Sequence, residues 1–349
     1  MPQKQVQEQP LKRSWCPEVK GARPMSVFDR CRLRPGERPP QFVVISFDGA
    51  GVDDQEWFPA FREAARRDRA SLTFFLSGVY LLPSDRRHLY HPPGREPGSS
   101  DIGFQRPSRM VEQAEELTAA WEEGHEIGTH FNGHFCGPKG VNSWSAADWS
   151  SEIDQFYSFV EDWQLNSGNT GLPDLPFRIR EVVKGGRTPC LEGDRRAMFT
   201  AFKKYGWRYD ASGTGTVSWP RRRGGLWQFP LPSINLPGTD RTVLGMDYNF
   251  FAIQSGAKSG EPFHWNRWER QTGDAYLQAV EQAFETDRAP VFIGNHFESW
   301  NGGIYMRALF RLMDEVCTRD EIQCVSFEQL ADWLDAQTPA TLARLRADA

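Results

Sequence analysis

Gly124-His125-Glu126-Ile127-Gly128-Thr129-His130-Phe131-Asn132-Gly133-His134 is the stretch on which the fold turns. It reads as a helix stop, a short extended run, and then two imidazoles four residues apart. Two comparable runs lie far from it in the chain. Phe42-Val43-Val44-Ile45-Ser46-Phe47-Asp48 is apolar and ends in an acid, and Val291-Phe292-Ile293-Gly294-Asn295-His296 ends in a histidine. Short continuous apolar runs suit strands buried on both faces of a parallel sheet. Each run delivers acid/base or metal-compatible groups at its C-terminal end, as the strands of a β/α barrel do.

The segments between these runs keep the alternation. Glu56 to Asp68 has Phe58, Phe61 and Ala65 at helical spacing, and Leu72 to Leu76 is a second β-rich run, so the chain opens βαβ. Ser108 to Glu123 is predicted as a helix with Ser108 as N-cap and Gly124 as stop. Ala146 to Leu165 puts Trp149, Ile153, Phe156, Phe159 and Trp163 on one helical face. Further helices are expected at Asp194–Tyr205, Asp274–Thr286, Met306–Cys317 and Phe327–Gln337. Strands are expected at Trp207–Asp210, Leu226–Leu231 and Gln323–Val325. No internal repeat is found. Residues 1–39 read as an N-terminal arm rich in Pro, Arg, Gln and Lys, residues 40–337 as one domain, and residues 338–349 as a tail. Pro83 to Pro107 and Gly256 to Trp268 are unpatterned and are expected to wall a groove.

Composition narrows the partners. A formal charge of −5 argues against nucleic acid, and no apolar run approaches the length of a membrane span. Thirteen tryptophans, several in Gly-rich polar contexts such as Trp144, Trp219, Trp265 and Trp300, offer flat amphipathic faces suited to sugars. Six cysteines, none in a C-x-x-C pair, leave open the bridges Cys16–Cys31 and Cys317–Cys324. Such bridges would place the chain in an exported, cell-envelope setting, although Met1 to Gln9 carry no apolar signal-peptide core and a cytoplasmic setting stays open.

His130 and His134 are the candidate metal ligands, since neutral imidazoles suit zinc and other first-row divalent ions. Asp48 precedes Gly49-Ala50-Gly51, a turn able to aim its carboxylate into a cavity. His296 stands at the equivalent strand end. Arg187, before Thr188-Pro189, offers a planar fork for a carboxylate, and Asp210 closes the run Trp207-Arg208-Tyr209.

In order and spacing these residues resemble the polysaccharide deacetylase (NodB-homology) family over about 250 residues. The matching segments are Ser46-Phe47-Asp48-Gly49, His130 to His134, Arg187-Thr188-Pro189-Cys190, Tyr209-Asp210-Ala211-Ser212 and Ile293-Gly294-Asn295-His296. The resemblance implies a single distorted (β/α)7 barrel and a divalent metal, zinc first with cobalt or another first-row ion as alternatives. It implies hydrolysis of N- or O-acetyl groups on a polysaccharide. It also implies Asp48 as general base, with a possible second role as metal ligand beside His130 and His134. Arg187 would align Asp48, and His296, helped by Asp210 or a neighbour, would be the general acid.

The chain departs from the family pattern at four places. Gly49 stands where the family has a second, metal-binding acid, and Asp53 and Asp54 are the nearby substitutes. Phe131, Cys190 and Phe297 replace a Ser or Thr, an aromatic residue and an acid. A binding protein with the same barrel, or a hydrolase of another non-peptide C–N bond, are the alternatives these changes raise.

Overall fold

Buried without interruption from Gln41 to Asp48, β1 (Gln41–Gly49) is the spine of the computed structural model, which describes residues 31–347. On one side it pairs in parallel with β11 (Val291–Asn295), and on the other with β2 (Thr73–Leu76). Its first residues also pair with β12 (Ile322–Cys324). From β2 the sheet runs in parallel through β3 (Glu126–Thr129), β4 (Gly185–Gly186), β5 (Tyr209–Asp210) and β8 (Leu226–Gln228). An antiparallel β7 (Arg221–Arg223) ends it.

The architecture is the expected mixed α/β barrel, in its distorted form, because the hydrogen-bonded path from β11 to β7 does not close. A small separate sheet is formed by β6 (Thr214–Gly215), which precedes β8 in the chain, with β9 (Leu231–Asn235) and β10 (Thr242–Leu244), which follow it. It reaches β11 through a bridge between Met246 and Gly294, reinforced by Gly294 N donating to Gly245 O at 2.9 Å.

Helices pack outside the sheet, and their starts show why they begin where they do. Ser145 and Asp148 form a reciprocal capping box for Ala146–Glu161, and Ser326 and Gln329 do the same for Phe327–Ala336. Asp194 caps Arg195–Lys204 by accepting from Ala197 N. No helix among the described residues is long and apolar enough to cross a membrane.

Several expectations need correction. The helix assigned to Ser108 begins at Pro107 with Arg106 as N-cap, because proline lacks the N–H that a first helical turn leaves unused anyway. The helix expected at Asp274 starts at Pro262 and runs to Glu285. Its first half escapes pattern reading because it buries only Trp268 and Thr272 before Gly273. The expected tail is a helix, Pro339–Ala347, that buries Leu345 and holds Pro220 O through Arg346. The Cys317–Cys324 bridge is present, but a second one joins Cys136 to Cys190, an unforeseen pair; Cys16 lies outside the described residues.

Candidate active site

The parallel strands bring their C-terminal ends to one mouth, where a cavity of about 680 Å³ opens. Asp48, His130, His134 and His296 all line it.

Arg187 follows β4 and is wholly buried, with its guanidinium 4.9 Å from the centre of the Phe75 ring. Nη1 donates to Asp48 Oδ1 and to Ser46 Oγ, both at 2.8 Å, and Nε donates to Ala211 O at 3.0 Å. Burial pushes the Asp48 carboxyl up, but the Arg187 charge beside it, the more distant His130 and His296, and the Arg187 hydrogen bond together bring it below the ordinary carboxylate range. Asp48 is therefore ionised at neutral pH. The predicted pairing of Arg187 with Asp48 is what the structure contains.

The histidine loop is held from several sides. His130 N donates to Leu76 O at 2.8 Å and Gly133 N to the Tyr90 hydroxyl at 3.0 Å. Phe131 and His134 both take left-handed backbone, with φ of 62° and 58°, a conformation that bulky residues adopt only when their surroundings impose it. For Phe131 those surroundings are the rings of Trp149, Phe202 and Trp207, with centroids 4.8 to 6.0 Å away. A residue that looks anomalous beside the motif is thus the loop's anchor.

His130 Nδ1 donates to Arg187 O at 2.8 Å, which leaves Nε2 with the free lone pair. Burial drives the His130 pKa down to about 3, and burial also lowers that of His134. Both rings are neutral, as metal ligands must be, and their centroids are 5.0 Å apart.

No third protein ligand among the described residues forms a compact trio with them. Among the described residues, the trio of donor atoms lying within 4.8 Å of one another at this mouth is His134, Cys136 and Cys190, and the two sulfurs are bonded to each other. Asp48, expected also as a ligand, forms no such trio with the two histidines, and its Oδ1 is engaged by Arg187. Asp53 caps the helix Trp57–Asp68 by accepting from Gln55 N and Trp57 N, while Asp54 pairs with Arg109 and is exposed. The residues fit a divalent ion held by two imidazoles with its remaining positions open to water or substrate.

His296 faces them from β11, and its partner is Asp247, which sequence reading missed. Asp247 Oδ2 accepts from His296 N at 2.7 Å and Oδ1 accepts from Nδ1 at 2.8 Å. Burial lowers the imidazole, but Asp247 outweighs it and His296 is raised to about 9. Asp210 is not that partner: its carboxylate is taken by Arg195 and by Ser212 N, and burial raises its pKa. What the Asp210 loop does is hold Arg187, through Ala211 O, and Thr188 N, through Ser212 Oγ at 2.9 Å. The missed signal was Thr242-Val243-Leu244-Gly245-Met246-Asp247, another short apolar run ending in an acid.

Ile102 to Gln105, from the expected wall Pro83–Pro107, line the cavity, as do Tyr248 and Trp300; Gly256–Trp268 do not. Phe297, in the place of an acid, packs on Phe47 with centroids 4.5 Å apart, and the next residue, Glu298, lines the cavity instead.

No family profile matches the chain, and no curated protein does. Solved structures do. A protein described as a polysaccharide deacetylase from Mycobacterium smegmatis shares 15% identity and a TM-score of 0.53, covering 87% of this chain and 94% of that one. The chitin deacetylase from Colletotrichum lindemuthianum aligns at 11% identity and a TM-score of 0.43 over 84% and 88% of the two chains. A CE4 family pseudoenzyme from Bacillus anthracis aligns at 10% and 0.41 over 86% and 68%. The first of these establishes that the chain has the fold of the polysaccharide deacetylases.

Proposed function

We propose that this chain is a metal-assisted hydrolase that removes acetyl groups, N- or O-linked, from a polysaccharide such as peptidoglycan, a chitin-like glycan or xylan. One observation carries the reading. An ionised carboxylate, Asp48, and a protonated imidazole, His296, line one cavity with the protonation states that a base and an acid need.

The chain's own groups define the steps. Asp48 accepts a proton from a water, and the oxygen attacks the acetyl carbon. Arg187 keeps that carboxylate ionised and fixed. The C–N or C–O bond to the sugar then breaks, and His296 gives its proton to the departing nitrogen or oxygen while Asp247 holds the ring. Acetate leaves and the sugar keeps an amine or hydroxyl, so one water is consumed. A divalent ion, zinc by the all-nitrogen donor set, would sit on His130 and His134, where its chemistry is to acidify water and polarise a carbonyl. Tyr248 and Trp300 at the mouth give a sugar ring flat faces to lie on. Two disulfides among the described residues support an exported or cell-envelope setting.

Gly49 in the place of a ligand acid favours a second reading, a glycan-binding barrel without turnover. Metal analysis of the purified protein and of His130→Ala, with acetate release from acetylated chitooligosaccharide, xylan and peptidoglycan, separates the two. A stoichiometric ion lost in the variant, with acetate release abolished by Asp48→Asn, supports the hydrolase. Glycan binding without metal or acetate release would replace it by the binding protein.

A further inference from the structure

The place left by the second acid is not empty space. Gly49 has φ +79°, and a Cβ built there would lie 3.5 Å from the Tyr80 hydroxyl and 4.0 Å from Ser77 Oγ. A Cβ built on Gly51 would lie 2.8 Å from the Tyr80 ring. Gly51 therefore makes room for the tyrosine, since a side chain there would push its ring aside, while the Gly49 position lies at ordinary contact distance from both hydroxyls. Tyr80 and Ser77 both line the cavity that Asp48, His130 and His296 line.

Ser77 Oγ is buried and has no hydrogen-bond partner among the described residues. A buried hydroxyl left this way is destabilising unless something accepts from it. The Tyr80 hydroxyl likewise makes none of the described hydrogen bonds. Burial and the nearby Glu298 charge raise Tyr80 to about 12, so it is a neutral donor throughout the physiological range.

We propose that Ser77 and Tyr80 form a two-hydroxyl donor site for the acyl oxygen of the substrate, in the position a metal-binding acid would otherwise hold. The inference rests on the hydrolase reading for the identity of the acyl group, but the site itself is read from the cavity. It divides the chemistry. The imidazoles face the attacking water, and the hydroxyls take the charge that develops on the acyl oxygen, where preorganised donors act most strongly.

The test is a titration of metal-stripped protein with trifluoroacetamide, a small neutral acyl amide followed by fluorine NMR. Tyr80→Phe and Ser77→Ala each keep the carbon skeleton or remove a single atom, and melting temperatures check that both fold. The expected result is saturable binding by the wild type, weakened at least tenfold in each variant. In turnover, Tyr80→Phe lowers kcat/KM by roughly 10²-fold. Absence of saturable binding by the wild type, or equal binding by the double variant, overturns the proposal. Acetate release with an unchanged titration in Tyr80→Phe sinks the donor site alone. Intact hydroxyl-dependent binding with no Asp48-dependent acetate release sinks the hydrolase reading alone.

Discussion

Replacing Asp247 by Asn removes the charge that sets the protonation state of His296 and nearly nothing else. The rise of His296 from 6.5 to about 9 corresponds to about 3 kcal/mol, at roughly 1.4 kcal/mol per tenfold change in proton affinity. Asp247 is the largest of the raising influences, ahead of Asp48 and Glu298, and burial acts against them all, so without the Asp247 charge the ring should fall back toward the ordinary histidine range. At pH 7.5 the wild-type ring is then almost fully protonated and the Asp247→Asn ring mostly neutral. The alkaline limb of kcat/KM, near pH 9 in the wild type, should move down by about one to two pH units in the variant. The same change appears in stability. A histidine whose folded pKa is raised contributes stability fully present below its unfolded pKa and lost as pH rises through the folded one. The wild type should therefore exceed Asp247→Asn by at most about 3 kcal/mol at pH 6, since Asp48 and Glu298 keep part of the effect, and the excess should fade between pH 6.5 and pH 9. NMR titration of the His296 ring, tractable in a chain with seven histidines, and urea unfolding at several pH values measure both. An alkaline limb and a ring titration that stay near 9 in the variant would refute the assignment of Asp247 as the source of the shift.

Arg187→Met leaves the buried Asp48 without its counter-charge, and the expected loss is about 3–5 kcal/mol in urea unfolding together with an acid limb shifted to higher pH. Cys136→Ser with Cys190→Ser opens a closure of 54 residues, worth about 4 kcal/mol in the chain-entropy account, and calorimetry should show a melting temperature several degrees lower. The corresponding Cys317/Cys324 variant, whose closure spans 7 residues, should lose less; the reverse order would refute the entropic reasoning. Chelation of divalent ions should reduce acetate release at least 100-fold while leaving trifluoroacetamide binding to the hydroxyls intact, and resupplied zinc should restore turnover.

The barrel was legible because its central strands are buried on both faces and so read as unbroken apolar runs, as Phe42–Phe47 and Val291–Ile293 do. The site residues that end those strands were legible for the same reason. Two-residue strands such as β4 and β5 carry no such signal, and Arg187 and Asp210 were placed by motif rather than by pattern. That is why the role of Asp210 came out differently: a buried acid after a strand can serve the cavity or the backbone behind it, and the choice depends on Arg195, fifteen residues back. Asp247 and the Tyr80/Ser77 pair depend on contacts between segments far apart in sequence, such as Met246 against Gly294, which local spacing does not encode. The helix Pro262–Glu285 and the Cys136–Cys190 bridge fall in the same class.

The protonation states that make the site plausible also limit it. Arg187 above all, with the protonated His296, holds Asp48 below the ordinary carboxylate range, which guarantees a free base but a weak one. Proton transfer is efficient when the pKa values of donor and acceptor are close, and bulk water at about 15.7 is far from any carboxylate. Asp48 alone therefore cannot activate an ordinary water; the water must first be made more acidic. Water bound to zinc in a protein titrates near about 7, and the neutral imidazoles of the buried His130 and half-buried His134 are groups in this cavity able to hold such an ion. With Gly49 contributing no ligand, His130 and His134 would hold a divalent ion with lower affinity, and fewer protein charges would offset its ability to acidify water. In the proposed reading, Gly49 would therefore cost metal retention, and the proposed Ser77 and Tyr80 donors would offset that loss at the acyl oxygen.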